Sequence, residues 1–236
     1  MKDGDLNITG PRVSANEMAA YVFETPSGKI RNLKDQKFKN QKRSYYTRAM
    51  NGVIASFLPN TGTFEPDIIQ AAERRIRAVS ADTKKKADRL RSNAEMLRRF
   101  AEICGQVRPP KGLHDIVRRN ALFSVGGIAV SVRPEIVTRT AGKKFAMTKF
   151  RFSQSAVSED VSEIVLLILL RYGQEAFRNE GSLDLEHTCL VDCFSRSITY
   201  GHKLAPVRER QLERAFAEVA HIWPKLTPQS KATDFF

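Results

Sequence analysis

Two groups of residues in this chain have types and spacings that could do chemistry. The first is a set of cations placed to meet phosphates. Lys34, Lys37, Lys39, Lys42, Arg43 and Arg48 enclose Tyr45 and Tyr46. Arg74, Arg75 and Arg77, then Lys84, Lys85, Lys86, Arg89 and Arg91, form a second stripe. Cations for phosphates with aromatics for base stacking are what single-strand binding uses. Tyr46 also falls on the apolar face of its own helix, so stacking by both tyrosines is not expected. The plain alternative for the second stripe is a solvated helix face. The other group is an acid and a lysine. Glu135, in Arg133-Pro134-Glu135, ends one strand-like run, and Lys149, in Met147-Thr148-Lys149, lies inside the next. His187, Cys189 and Cys193 do not add a zinc site. Strand alternation puts the two cysteines on one face but roughly 13 Å apart, too far to share a metal. No Ser-His-Asp spacing and no glycine-rich phosphate loop is present.

The elements that must position these residues follow from periodicity and turn signals. Ser14 and Glu17 form a capping-box signature for a helix from Ala15 to Phe23, which Thr25-Pro26-Ser27-Gly28 ends. A basic polar link, Lys29 to Lys42, follows. Helices are expected from Arg43 to Leu58, from Pro66 to Val79 and from about Asp82 to Gly105. The last carries Leu90, Ala94, Leu97, Ala101 and Cys104 at alternating four and three, so it packs on another helix. About three strands are expected over residues 115–152, with Gly126-Gly127 as a kink or bulge. Phe145, Met147, Lys149 and Arg151 alternate with Ala146, Thr148, Phe150 and Phe152, giving a strand with two different faces. Ser158 to Arg171 reads as a helix that is apolar nearly all round, hence deeply buried, with Leu166, Leu167 and Leu170 inside. One or two strands over Asp184 to Thr199 and a helix from Pro206 to Trp223 complete the pattern. The expected fold class is α/β: a basic α-helical region over residues 1–112, a mixed sheet flanked by helices over residues 113–228, and a tail at 229–236.

Bulk properties narrow the partners. The sequence holds 39 Lys+Arg against 26 Asp+Glu, a net charge of +13. Residues 1–120 hold 24 basic and 13 acidic side chains, net +11, whereas residues 121–236 hold 15 and 13, net +2. That one-sided balance is the electrostatic footprint of a polyanion binder. The opening MKDGDLNITG has no apolar signal region, and the longest apolar run, Ile164 to Leu170, is far short of the roughly 18–20 residues of a membrane span. Three scattered cysteines fit free thiols in a reducing, cytoplasmic compartment, with no membrane partner.

The segments GGIAVSVRPEI, KKFAMTKFRFS, EIVLLILL and CLVDCFSRSITY, and a closing helix that ends at Ala220-His221-Ile222-Trp223-Pro224, resemble the RecB/Cas4-like branch of the PD-(D/E)xK nuclease superfamily. The resemblance covers about residues 115–225. Upstream, SANEMAAYVFETPSGKIRNLKDQKF is similar to the start of bacterial proteins that carry such a core. The resemblance implies a restriction-endonuclease-like mixed sheet of four or five strands flanked by helices, with DNA as the usual ligand. It also implies Glu135 in place of the usual aspartate, one methylene longer, and Lys149 as the lysine that orients water. Such enzymes hold Mg²⁺ through hard oxygens to activate water. Met147 stands where the second acid belongs, and a thioether does not bind Mg²⁺. The chain therefore reads as a nucleic-acid-binding pseudoenzyme with no cofactor, acting as a subunit of a DNA-processing or defence complex. Mg²⁺ enters only if the site is competent. Two alternatives stay open: an active nuclease whose missing acid has migrated, with Glu163 and Glu17 as candidates, and a protein-binding scaffold.

Overall fold

A computed structural model describes residues 11–38, 45–108, 110, 121–139 and 142–227. The chain is a mixed α/β fold with seven helices among the described residues. Its main sheet runs β10-β9-β7-β6 and comprises β6 (Ile136–Arg139), β7 (Lys144–Arg151), β9 (Cys189–Asp192) and β10 (Ser197–Tyr200). The short β8 (Ser182–Leu183) pairs beside β7. β6 and β7 are antiparallel, whereas β7 and β9 are parallel, with Thr148 opposite Cys189 and Arg151 opposite Asp192. A parallel neighbour needs a crossover, and α6 (Glu159–Ala176) supplies it.

α6 explains the apolar run. Ser158 caps it by accepting the Val161 N–H, and Leu166, Leu167 and Leu170 are all buried, as the sequence predicts. The helix is enclosed on every side. The main sheet covers one flank, and α1 (Ala15–Phe23) and α7 (Val207–Ile222) cover another. A second sheet covers the rest. It is ordered β1-β5-β4 and consists of β1 (Arg12–Ser14), β5 (Ile128–Val132) and β4 (Ala121–Val125).

The opposite face of the main sheet carries α3 (Thr47–Ser56), α4 (Pro66–Arg77) and α5 (Lys84–Ile103). The joint is aromatic: Phe64, Phe100 and Phe150 meet edge to face with ring centres 5.1 to 5.8 Å apart. β7 divides its side chains as its alternation requires, Phe145 and Met147 toward α6 and Phe150 toward α5.

Four expectations change. Residues 26–38 form a helix, α2 (Pro26–Phe38), rather than a link. Proline opens it, Thr25 Oγ1 accepts the Gly28 N–H at 3.2 Å, and only Gly28 and Leu33 are buried, so its apolar stripe is too thin to read. The helix expected to reach Leu58 stops at Ser56, because Phe57 and Leu58 pair with β3 (Thr63–Phe64) as the small strand β2 (Phe57–Leu58). Gly126 and Gly127 are not a bulge. They form the two-residue turn joining β4 to β5, with φ of +56° and +80°, so four strands occupy the stretch read as three. Residue 112 is not a packing boundary. β1 pairs in parallel with β5, and α1 packs on α6, so the first helices belong to the later core. No helix among the described residues is long and apolar enough to cross a membrane.

Candidate functional site

The acid and the lysine meet at the end of the β6–β7 ladder. Glu135 stands in the link from β5 to β6, where its N–H donates to the Thr148 carbonyl at 3.0 Å. Ile136 pairs with Thr148, so one further step in register places Glu135 opposite Lys149. Glu135 Oε1 lies 3.7 Å from Lys149 Nζ, and the two side chains are only 12% and 9% exposed. Neither charge is left to itself. Lys149 Nζ donates to the Arg133 carbonyl at 2.9 Å, and Glu135 Oε2 accepts the Phe150 N–H at 2.7 Å. The carboxylate thus serves a backbone donor that lies past the end of β6, where the strand offers no partner.

Burial pushes the Glu135 carboxyl above its ordinary range, against the smaller opposing pulls of Lys149 and the Phe150 N–H. The same dry surroundings push the Cys189 thiol up to about 12. Burial, then Asp192, then Glu135 hold Cys193 well above its usual value. Both thiols are free and buried, which suits core packing. The sign for Glu135 is definite. A raised folded pKa means that its contribution to stability is present below the unfolded value near 4.5 and is lost as pH rises through the folded value. The stability of the natural chain relative to Glu135→Gln is therefore expected to fall as the pH is raised above 4.5. Urea titrations of both proteins over rising pH measure it, and a relative stability that climbs with pH would reverse the assignment.

Met147 does not face this pair's open end. It is fully buried, and its Cε occupies the notch left by Gly173 of α6, 2.3 Å from where a Cβ on that glycine would stand. The acids considered as replacements are committed elsewhere. Glu17 closes the capping box, with Oε2 2.6 Å from Ser14 Oγ, and Glu163 pairs with Arg208 of α7, which also holds Asp160. Among the described residues no three His, Cys, Asp or Glu side chains form a group able to hold a metal ion.

Sequence reasoning missed Asp192 and Arg151. Their Cα atoms pair across β9 and β7, and Asp192 Oδ2 lies 3.1 Å from Arg151 Nη1. Asp192 Oδ1 accepts the N–H of Phe194 at 2.9 Å and of Ser195 at 3.4 Å. The signal was legible: an aspartate leading into a Phe-Ser turn is an Asx-turn signature.

The structure sorts the cations. Lys37 is spent internally, donating to the carbonyls of Trp223 at 2.9 Å and Leu226 at 3.1 Å over the Trp223 ring. Lys39, Lys42 and Arg43 lie outside the described residues. Arg89 donates to the Tyr45 carbonyl and covers the Tyr45 ring. Arg77 pairs with Glu73, Lys86 with Asp82 and Arg91 with Asp88. Arg74, Arg75, Lys84 and Lys85 are exposed, with no acidic partner among the described residues. All four sit at one end of the α4–α5 pair, on either side of residues 78–83.

No family model matches the chain, and no curated protein shows significant similarity to it.

Proposed function

We propose that this protein binds nucleic acid, DNA first, and that its PD-(D/E)xK-like core is catalytically silent. On this reading it acts as a DNA-binding subunit of a larger DNA-processing or defence assembly. One observation carries the silent core. An acid just ahead of β6 and a lysine on β7 lie opposite each other, while the residue two before the lysine is a methionine packed into α6. The order β6, β7, α6, β9, with β9 parallel to β7, supports the resemblance in arrangement. Metal-assisted hydrolysis needs hard oxygen ligands. Here Glu135 is tied to a backbone N–H and a lysine, and Met147 offers only a buried thioether.

Binding rests on the exposed cations at the α4–α5 turn. Lys84, Lys85 and Lys86 occupy the first turn of α5, which has no acidic residue. Cations there oppose the helix dipole, at about 0.3–1 kcal/mol each, so they do not serve the helix. Phosphates placed among them offset that cost. Four phosphate contacts give a log–log salt slope of roughly −3.6 on duplex DNA, or about 150-fold weaker binding at 200 mM than at 50 mM salt.

The test is a titration of labelled oligonucleotides from 50 to 200 mM salt, with a parallel cleavage assay in Mg²⁺ and Mn²⁺. Salt-steep binding without cleavage is expected. No binding at the lowest salt sinks the binding claim. Metal-dependent cleavage that Glu135→Ala and Lys149→Ala both abolish sinks the silent core.

A further inference from the structure

We infer that the α4–α5 turn takes the phosphate backbone of duplex DNA and makes no use of single-strand bases. The inference rests on the nucleic-acid reading above and names the form of the ligand.

Single-strand sites join a cationic track to aromatic faces on which successive bases stack. Among the described residues the α4–α5 turn has the cations without the faces. In the first stripe Phe38 is exposed, but it lies under Lys37, which also covers the Trp223 ring, and so belongs to the α2 end. Among the described residues the aromatics beside α4 and α5 in the stripes are Tyr45 and Tyr46. Tyr46 is buried, tilted against Phe152 with ring centres 6.1 Å apart. Tyr45 is half-buried, meets Tyr46 edge-on at 5.0 Å, and has the Arg89 guanidinium 5.7 Å from its ring centre. Tyr46 therefore offers no face to a base, and the Arg89 guanidinium occupies a face of Tyr45. The exposed apolar residue of α4 is Ile68, an aliphatic side chain with no π-face.

What remains at the turn is charge alone: Arg74 and Arg75 in the last turn of α4, Lys84 and Lys85 in the first turn of α5. Charge alone favours the denser polyanion. A duplex carries one charge per roughly 1.7 Å of axis and returns about 0.9 counterion per contact, against about 0.7 for a single strand. If both forms bind equally at 1 M salt, four contacts make the duplex about tenfold tighter at 50 mM. With no base-edge contact, the binding is indifferent to sequence.

The experiment uses the full chain and a labelled duplex of about 20 base pairs, competed by the unlabelled duplex or by either of its strands at 50 mM salt. A second arm places 2-aminopurine in a single strand and reads fluorescence quenching, the mark of stacking. A third uses the quadruple variant Arg74→Ala, Arg75→Ala, Lys84→Ala, Lys85→Ala, all at exposed positions, with its fold checked by circular dichroism. Expected are a tenfold preference for duplex, no added quenching, and a duplex salt slope in the variant shallower by about 3 to 4. A single strand that competes as well as the duplex, quenching on binding, or an unchanged slope in the folded variant overturns the inference and leaves the nucleic-acid reading standing. Failure of every oligonucleotide to bind sinks both.

Discussion

Met147→Asp, which would place an acid two residues before Lys149, is expected to unfold the protein rather than to create a nuclease. Met147 has no exposed surface and touches the Gly173 notch of α6. Removing its side chain costs the packing of a buried methionine, about 2–5 kcal/mol. A carboxyl in its place must be buried neutral or charged, at a further cost of several kcal/mol. The sum reaches the whole stability of an ordinary domain, about 5–15 kcal/mol. Met147→Leu keeps the volume and is expected to cost less than about 1.5 kcal/mol. Urea denaturation of the three proteins, with a cleavage assay on any that fold, makes the comparison. A folded Met147→Asp protein that cleaves DNA in Mg²⁺ would mean that this face of β7 opens to solvent and metal, and the silent core would have to be given up.

How far the sequence carries depends on how strongly each element is marked. α1 and α6 were legible to within a few residues because Ser14, Glu17 and Ser158 are caps with one reading, and because seven consecutive apolar residues, Ile164 to Leu170, have to be buried. The two faces of β7 were legible for the same reason. α2 was hidden because it buries little and is rich in lysine. Its anchors, Lys29 to Glu218 and Lys37 to the carbonyls after α7, span the whole chain and leave no local trace. The union of β1 with β5 was hidden likewise, since a three-residue strand has no period to detect. At the site, Glu135 and Lys149 were legible as residue types through the resemblance, and their approach is set by the β6–β7 register. The structure adds that the pair is dry and spent on backbone groups. The basic stripes were legible as composition. Which of their charges are neutralised depends on Glu73, Asp82 and Asp88, one turn away on the same helices or, for Asp82, just ahead of α5.

Asp192→Ala is expected to cost about 3 kcal/mol and to loosen the helical layer over the main sheet, although Arg151, Phe194 and Ser195, which its carboxylate bonds, lie in no helix. Its carboxylate has 1% exposure and three bonded partners. Alanine leaves two turn N–H groups unserved and the Arg151 guanidinium short of its countercharge. Breaking a buried pair from one side costs about 3–5 kcal/mol. Arg151 keeps Ser153 Oγ at 2.9 Å, which favours the lower figure. Asp192→Asn keeps an acceptor for the turn and is expected to cost about 1–2 kcal/mol. The turn that Asp192 shapes is what grips α5. Phe194 accepts Arg99 Nη1 on its carbonyl at 2.7 Å and lies under the guanidinium at 4.3 Å, and Arg196 pairs with Glu102. When the turn loses its shape, the last turns of α5 lose their clamp. Faster amide exchange is therefore expected from residue 95 to residue 103, together with the drop in stability on urea titration. Lys84 and Lys85 sit at the far end of the same 20-residue helix, roughly 21–27 Å along its axis from Arg99 and Glu102. The proposed DNA binding at the tip is expected to be as strong in Asp192→Ala as in the natural chain wherever the variant stays folded. A cost under about 1 kcal/mol with unchanged exchange would mean that α5 is held by its aromatic packing alone. Loss of DNA binding in the folded variant would place the binding surface at the β9–β10 turn instead of at the helix tip.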